Sequence, residues 1–357
     1  MRAERALVLA AGMRLQYRTV RCAADCFQAV FVMGTPEARP LRLSAACAGF
    51  TPAGVSAGDF GSLAASAVAD VCARLRIDVV LPSDGESTRW LAQNRAALPA
   101  RCYPTPTVPV FDMLDDKHRF GDLCGRIGIP VPPMTLAEDA EQAAAAIRTG
   151  AVRLPAVIKP LRLWGSSGVA RIDHANATEV LAAVGYAPIL IQEFIDGRDL
   201  SVFLLCQAGA ASAAVVYQRS RESVDFIRHD GLVALAQRIA GHVDFDGVIG
   251  FDVREQPDGA LFFLECNPRF WYSMDAARRA GLNFVALGLE TAPPAKLRVL
   301  HDVRVPQLRA LLHHRPWKAD VALARLGREC VADLAAHAAM AAHSAFGRDR
   351  NARGKAV

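Results

Sequence analysis

From Arg5 to Ala97 short apolar runs alternate with stretches of helical period. Ala6–Ala10, Ala29–Met33 and Asp78–Pro82 predict strands, and Ser62–Arg74 and Glu86–Ala97 predict helices. That alternation is the pattern of a small parallel α/β unit. Pro99, Pro104, Pro106 and Pro109 then punctuate the chain and mark the best domain boundary. Beyond them Asp115–Ile127 predicts one helix, closed by Gly128 and the proline-rich Ile129–Pro133.

The next part reads as strands and turns. Leu154–Pro160 is a short apolar strand with Lys159 near its end, and Leu161–Gly168 is a Gly/Ser loop leading to strand Val169–Ile172. Ile189–Ile195 and Asp199–Leu205 flank an Asp196-Gly197 turn, and strand Ala213–Arg221 carries Arg219 and Arg221 on one face. Leu232–Gly241 predicts an amphipathic helix, and Ser273–Ala280 a helix capped by Gly281. Ala319–Phe346 is Ala-rich and helical, with an apolar stripe at Leu323, Leu326, Cys330 and Leu334 that predicts packing against the body or a second subunit.

The chain turns on Val248–Arg269. Val248–Val253 and Ala260–Cys266 predict a hairpin around Asp258-Gly259. A two-residue turn there sets Asp252 opposite Glu265, and Asn267 falls on the same face because side chains alternate. Like charges directly opposite destabilise a sheet, and adjacent carboxylates resist joint ionisation. A cation between them removes both objections, and two carboxylates with an amide oxygen are hard ligands suited to Mg²⁺. An amphipathic surface hairpin whose acids face water is the competing reading for each residue alone.

Other polar positions are ambiguous when taken singly. Lys117 alone reads as a surface lysine, whereas Lys159, amid Val and Ile, needs an anion or a route to solvent. Ser83, Asp84 and Glu86 follow a strand's carboxyl end, where ligands of such sheets sit, but a helix N-cap explains Ser83 or Asp84 equally well. Gln192 and Glu193 interrupt an apolar run whose walls suit an adenine, and Asp199 could accept both ribose hydroxyls. Neither a G-x-G-x-x-G fingerprint nor a Walker A loop occurs.

Composition narrows the class. The 357 residues allow two or three packed units, and 52% apolar with 22% charged residues is globular. No apolar run approaches a membrane helix, and the start MRAERALVLAAGM fits a first strand better than a signal peptide. Nine scattered cysteines form no C-x-x-C pair, so reduced cytoplasmic thiols are expected. The net charge of +5 resides in His301–Val357, ten Lys/Arg against five Asp/Glu, and no basic stripe interleaved with aromatics suggests nucleic acid.

Taken in order, Asp116-Lys117, Lys159-Pro160 with its Gly/Ser loop, Gln192-Glu193-Phe194-Ile195-Asp196-Gly197-x-Asp199, Gly250-Phe251-Asp252 and Leu264-Glu265-x-Asn267-Pro268-Arg269 resemble the ATP-grasp superfamily of ATP-dependent carboxylate ligases. The Asn-Pro-Arg-Phe-Trp run looks most like the group related to carbamoyl-phosphate synthetase large chains. The resemblance spans roughly residues 79–290. It implies an α/β and α+β chain: an N-terminal Rossmann-like pre-ATP-grasp domain (1–105), and a small lobe (106–195) and a large lobe (196–300) clasping ATP; the helical, basic C-terminal extension (301–357) lies outside the resemblance.

It assigns Lys117 and Lys159 to the phosphates of ATP, and Ser166, Ser167 and Gly168 to a lid. Glu193 and Ile195 are assigned to adenine, Gln192 and Phe194 to the nucleotide site and Asp199 to ribose, and Arg219 is chosen over Arg221 as a further phosphate contact. Asp252, Glu265 and Asn267 would hold two Mg²⁺ ions, with Mn²⁺ as a substitute, and Arg269 and Lys159 would face the reacting groups. The reaction implied is phosphorylation of a small carboxylate, plausibly an amino acid, to an acyl phosphate that an amine then captures. A non-catalytic nucleotide sensor or scaffold, and a bicarbonate-phosphorylating enzyme, are the alternatives. Partners expected are the carboxylate and amine substrates, with no nucleic acid or membrane, and a homodimer is compatible.

Overall fold

A computed structural model describes residues 4–162, 167–290, 296–307, 310, 321–340 and 342. The expected lid residue Ser166, the Leu323 side chain and the basic end 343–357 lie outside the described residues.

The first unit is a five-stranded parallel sheet. Its strands are β1 (Arg5–Ala10), β2 (Ala29–Gly34), β3 (Gly49–Pro52), β4 (Val79–Leu81) and β5 (Arg101–Cys102), in the order β3-β2-β1-β4-β5. Helices α1 (Arg14–Ala24), α2 (Ala65–Leu75) and α3 (Gly85–Asn94) cover it. β1 is the central strand, and it is apolar on both sides because both of its faces are buried. Ala6, Val8 and Ala10 point into one core and Leu7 and Leu9 into another. β3 escaped the sequence reading because Gly49 and Pro52 dilute its pattern.

The proline-rich stretch does not stay a linker. Pro109 opens a helix, α4 (Val108–Asp115), as proline tolerates a first turn. The helix expected over Asp115–Ile127 is α5 (Lys117–Arg126), and α4 before it is an addition. Asp116 stands between them as N-cap, accepting from the backbone N–H of His118 and Arg119 at 3.1 Å.

A small antiparallel sheet follows, ordered β6-β9-β7-β8, from β6 (Met134–Ala137), β7 (Ala156–Lys159), β8 (Ala170–Ile172) and β9 (Ile189–Glu193). Helices α6 (Ala140–Arg148) and α7 (Ala177–Ala182) pack with it. The large sheet runs β14-β13-β10-β11-β12-β16. It comprises β10 (Arg198–Gln207), β11 (Ala210–Arg219), β12 (Ser223–Ile227), β13 (Gly247–Glu255), β14 (Leu261–Asn267) and β16 (Val303–Pro306), with β15 (Arg298–Leu300) alongside β11. β11 stops at Arg219 rather than Arg221, because Ser220 turns the chain by bonding Ser223. Arg221 therefore leaves the strand face that it was expected to share.

Both faces of the large sheet are buried. Val202, Leu204 and Cys206 meet α5 and helix α8 (Asp230–His242). Phe203 and Leu205 face the same core as β1, α1 and helices α9 (Met274–Arg279) and α10 (Phe284–Leu287). Helix α11 (Val321–Ala332) and the helical residues 334–340 that follow it dock on α1 through the fully buried Asp333 between them. Asp333 accepts from Tyr17 Oη at 2.6 Å, Ser44 Oγ at 3.1 Å and the Ala45 N–H at 2.7 Å. Packing against the body is thus what this helix does, but through Leu326, Asp333, Ala336 and Met340; Leu334 of the expected stripe is exposed. Among the described residues no helix is long and apolar enough to cross a membrane, and all nine cysteines are free thiols.

One packing contact fixes the hairpin's position. Gly250 of β13 lies against the Phe203 ring, and a Cβ there would come within 1.9 Å of it. Phe203 in turn stacks on Trp271 with ring centroids 4.4 Å apart. Gly250→Ala is therefore expected to destabilise the fold by about 1–3 kcal/mol. A denaturant midpoint unchanged from wild type would show that the ring has room to move.

Candidate functional site

β13 and β14 pair so that Asp252 stands opposite Glu265, and Gly250 opposite Asn267. The turn differs from the expected two residues. Gln256 pairs with Ala260 around a three-residue loop, in which Gly259 adopts φ +87 and donates to the Gln256 carbonyl at 2.9 Å. Such a loop alone would shift the register by one and send the two acids to opposite faces. The shift is undone between Asp252 and Val253, where Leu264 is an extra residue in β14. This bulge restores the facing pair, in keeping with the use of bulges to re-aim side chains.

The pair is electrostatically incomplete. Asp252 is half-buried, and its carboxyl is pushed up from the usual range, first by burial and then by the charge of Glu265. Ser201 Oγ donates to it at 2.8 Å and Asn267 Nδ2 at 3.2 Å, which only partly offsets those costs. Lys117, expected as a surface lysine when taken alone, is 7% exposed and puts Nζ 3.5 Å from Glu265 Oε2. Arg269 donates to Asn267 Oδ1 at 2.5 Å. A divalent cation fits this donor set, because it supplies the positive charge that the half-buried Asp252 lacks.

Beside the pair opens a cavity of about 320 Å³ between the small and large sheets. Lys159, Gln192, Glu193, Phe194, Ile195, Asp199, Asp252 and Glu265 all line it. The end of β7 delivers Lys159, whose Nζ donates to Gln192 Oε1 at 2.6 Å. Burial pushes its pKa down to about 8, against the raising effect of Glu265. Apolar walls come from Val157, Val169, Leu200, Val253 and Leu264. The cavity thus has apolar surfaces for a flat ring and, at one end, a cation and two carboxylates.

Some expected residues sit elsewhere. Ser167 and Gly168 are at the rim rather than in the lining, where the Gly168 carbonyl accepts from Tyr186 Oη at 2.7 Å. Arg219 lies over the Tyr272 ring at 4.6 Å, away from this cavity. Arg278 is buried in ion pairs with Asp25 at 2.9 Å and Glu329 at 2.8 Å and serves as an anchor. Asp84 is an N-cap: it accepts from the N–H groups of Ser87 at 2.7 Å and Ala11 at 3.0 Å.

Two lining residues were missed by the sequence reading, Ser201 and Arg254. Arg254 donates to the Ile195 carbonyl at 3.0 Å and to Asp199 Oδ1 at 2.8 Å, so it ties the ends of β9 and β10 together. The signal was present in strand pairing, since Ser201 faces Asp252 and Asp199 faces Arg254 across β10 and β13. That pairing joins segments some fifty residues apart and has no local signature.

Comparison with known proteins agrees with this layout. Residues 186–309 match a family model described as ATP-grasp in the biosynthetic pathway with Ter operon. The chain is 23% identical over 244 residues to the carbamoyl phosphate synthase large chain of Archaeoglobus fulgidus, covering 62% of this chain and 22% of that one. It is 33% identical over 118 residues to the D-alanine–D-alanine ligase of Bifidobacterium adolescentis, 28% of this chain and 31% of the ligase. The match therefore spans about a fifth to a third of these relatives. In structure it resembles the biotin carboxylase domain of the 2-oxoglutarate carboxylase of Hydrogenobacter thermophilus, solved with MgADP, ADP and bicarbonate. The TM-score is 0.63 at 13% identity, over 84% of this chain and 72% of that one.

Proposed function

We propose that this chain, which carries an ATP-grasp domain, is an ATP- and Mg²⁺-dependent ligase that activates a small carboxylate as an acyl phosphate and joins it to an amine. The observation that carries the reading is the shared cavity: Lys159, Asp252 and Glu265 meet at one end and the Gln192–Ile195 segment borders it. The domain limits proposed with it are 1–105 for the N-terminal α/β unit, 106–195 and 196–300 for the two lobes, and 301–357 for the extension. All nine thiols being free is in keeping with a cytoplasmic enzyme.

In this reading the adenine lies among Val157, Phe194, Ile195 and Leu264, and Asp199, already oriented by Arg254, takes the ribose hydroxyls. Lys159 leaves Gln192 for the phosphates, and Lys117 approaches them from the N-terminus of α5. Asp252, Glu265 and Asn267 would hold two Mg²⁺ ions, which offset the triphosphate charge. Arg269, fixed by Asn267 Oδ1, faces the carboxylate that accepts the phosphoryl group. Phosphoryl transfer asks mainly for positioning and charge neutralisation, and these residues provide both. Ser166, Ser167 and Gly168 act as the lid that keeps water from the acyl phosphate.

A second reading makes bicarbonate the phosphorylated carboxylate, and the similarity to a carboxylase domain solved with bicarbonate favours it. Both readings are tested by ADP release over a panel of amino acids, amines and bicarbonate, with products followed by mass. A dehydrative condensation product identifies the ligase, and ADP release with bicarbonate alone identifies the second reading. ATP binding without ADP release across the whole panel would contradict both and point to a nucleotide sensor.

A further inference from the structure

We propose that a second cavity, between α1, α9 and α11, binds a small acid through an oxyanion, a carboxylate or a phosphate, held by Arg14, Arg18 and Arg279. The inference goes beyond the ATP-dependent reading above and concerns a site apart from the nucleotide cavity.

The cavity measures about 260 Å³. Its lining has four arginines, Arg14, Arg18, Arg21 and Arg279, against two carboxylates, Asp275 and Glu329, so it is positive. The four are not equivalent. Arg21 is engaged by Glu329 at 3.6 Å and Asp333 at 3.4 Å. Arg279 has a side chain only 7% exposed, bonds the Pro306 carbonyl at 2.8 Å, and reaches Asp275 only at 3.9 Å. Burial lowers its pKa, which means that its charge is poorly compensated.

Arg18 has no carboxylate within ion-pair distance among the described residues. Its guanidinium lies over Tyr272 at 4.4 Å and near Tyr17 at 5.2 Å, with the Tyr272 hydroxyl accepting at 2.8 Å. Stacking of that kind holds the planar fork rigid without neutralising it, an arrangement suited to bidentate oxyanion recognition. Two guanidinium groups without a close carboxylate among the described residues, around a cavity with excess positive charge, mark a place that an anion would complete.

Val224, Leu326 and Met340 give the ligand's body an apolar wall. The size and the positive charge fit a small acid.

The test is isothermal titration of the full chain, saturated with Mg²⁺ and a non-hydrolysable ATP analogue, with inorganic phosphate and, separately, with succinate. At least one should bind, and the tighter one names the oxyanion source. Its affinity should fall about tenfold or more in Arg18→Gln and in Arg14→Gln, while the ATP analogue binds both variants as it binds wild type. Arg14 is exposed, so its replacement keeps the test decisive even where Arg18→Gln does not fold. Failure of both anions to bind, or binding undiminished in both variants, overturns the proposal. If wild type does not bind the ATP analogue the nucleotide reading fails instead, and the same titrations on the bare protein still decide the cavity.

Discussion

Glu265→Gln should lower ADP formation by about 10³-fold or more while leaving the fold intact. The substitution keeps the side chain's size and one oxygen but removes the charge that a metal ion and Lys117 both require, 3.5 Å from Lys117 Nζ. Asp252→Asn should act in the same way. Because the two acids form one unit, the double variant should be little worse than either single one. Stability carries the same information. The folded Asp252 carboxyl titrates above its unfolded value, so the folded chain holds a proton that the unfolded chain has lost. Its contribution is therefore complete below the unfolded carboxyl range and declines as pH rises through the raised value. Mg²⁺ should reverse that decline in wild type, raising the melting temperature, and do nothing for Glu265→Gln. Thermal melts with and without Mg²⁺ at pH 5 and pH 8 check this, and retained activity in Glu265→Gln would remove the pair from the mechanism.

Lys159→Met should weaken nucleotide binding by about 10²-fold, since a buried cation aimed at a polyanion is lost. Wild type gives a related pH signature. Lys159 titrates near 8 in the unliganded protein, below its unfolded value, because burial disfavours the charged amine. Its burial therefore costs stability at pH values below 8, and that cost disappears as pH climbs towards the unfolded value. Nucleotide binding runs the other way: it needs the protonated amine, so affinity should fall as pH rises through about 8. Lys159→Met should abolish that pH dependence as well as the affinity. Calorimetric titrations from pH 6.5 to 9.5 decide the matter, and an affinity that is flat with pH in wild type would put the phosphates elsewhere.

How much of this could be read from the sequence depended on how local the signal was. The hairpin was legible because Asp258-Gly259 sits between two apolar runs, and the facing of Asp252 and Glu265 followed from a turn. Its agreement with the structure rests on two departures that cancel, a three-residue loop and a bulge at Leu264. Lys159 announced itself because a lysine in an apolar strand must have a polar partner, and Gln192 is that partner. Lys117 did not, since nothing in residues 115–127 says that its helix lies against β14. Helix α4 was hidden because Pro104, Pro106 and Pro109 read as a boundary rather than as a helix start. The anchoring role of Arg278 was hidden because its partners Asp25 and Glu329 are remote in sequence. Arg254 and Ser201 were invisible for the same reason: strand pairing across the large sheet, not spacing, brings them to the cavity.

Manganese binding, followed by electron paramagnetic resonance with the protein saturated in ADP, tests the central claim most directly. Wild type should sequester Mn²⁺ in the presence of ADP, and Asp252→Asn and Glu265→Gln should leave the ion free in solution. Mn²⁺ sequestered equally by all three proteins, or by none, would contradict the assignment of the facing carboxylates to a nucleotide's metal.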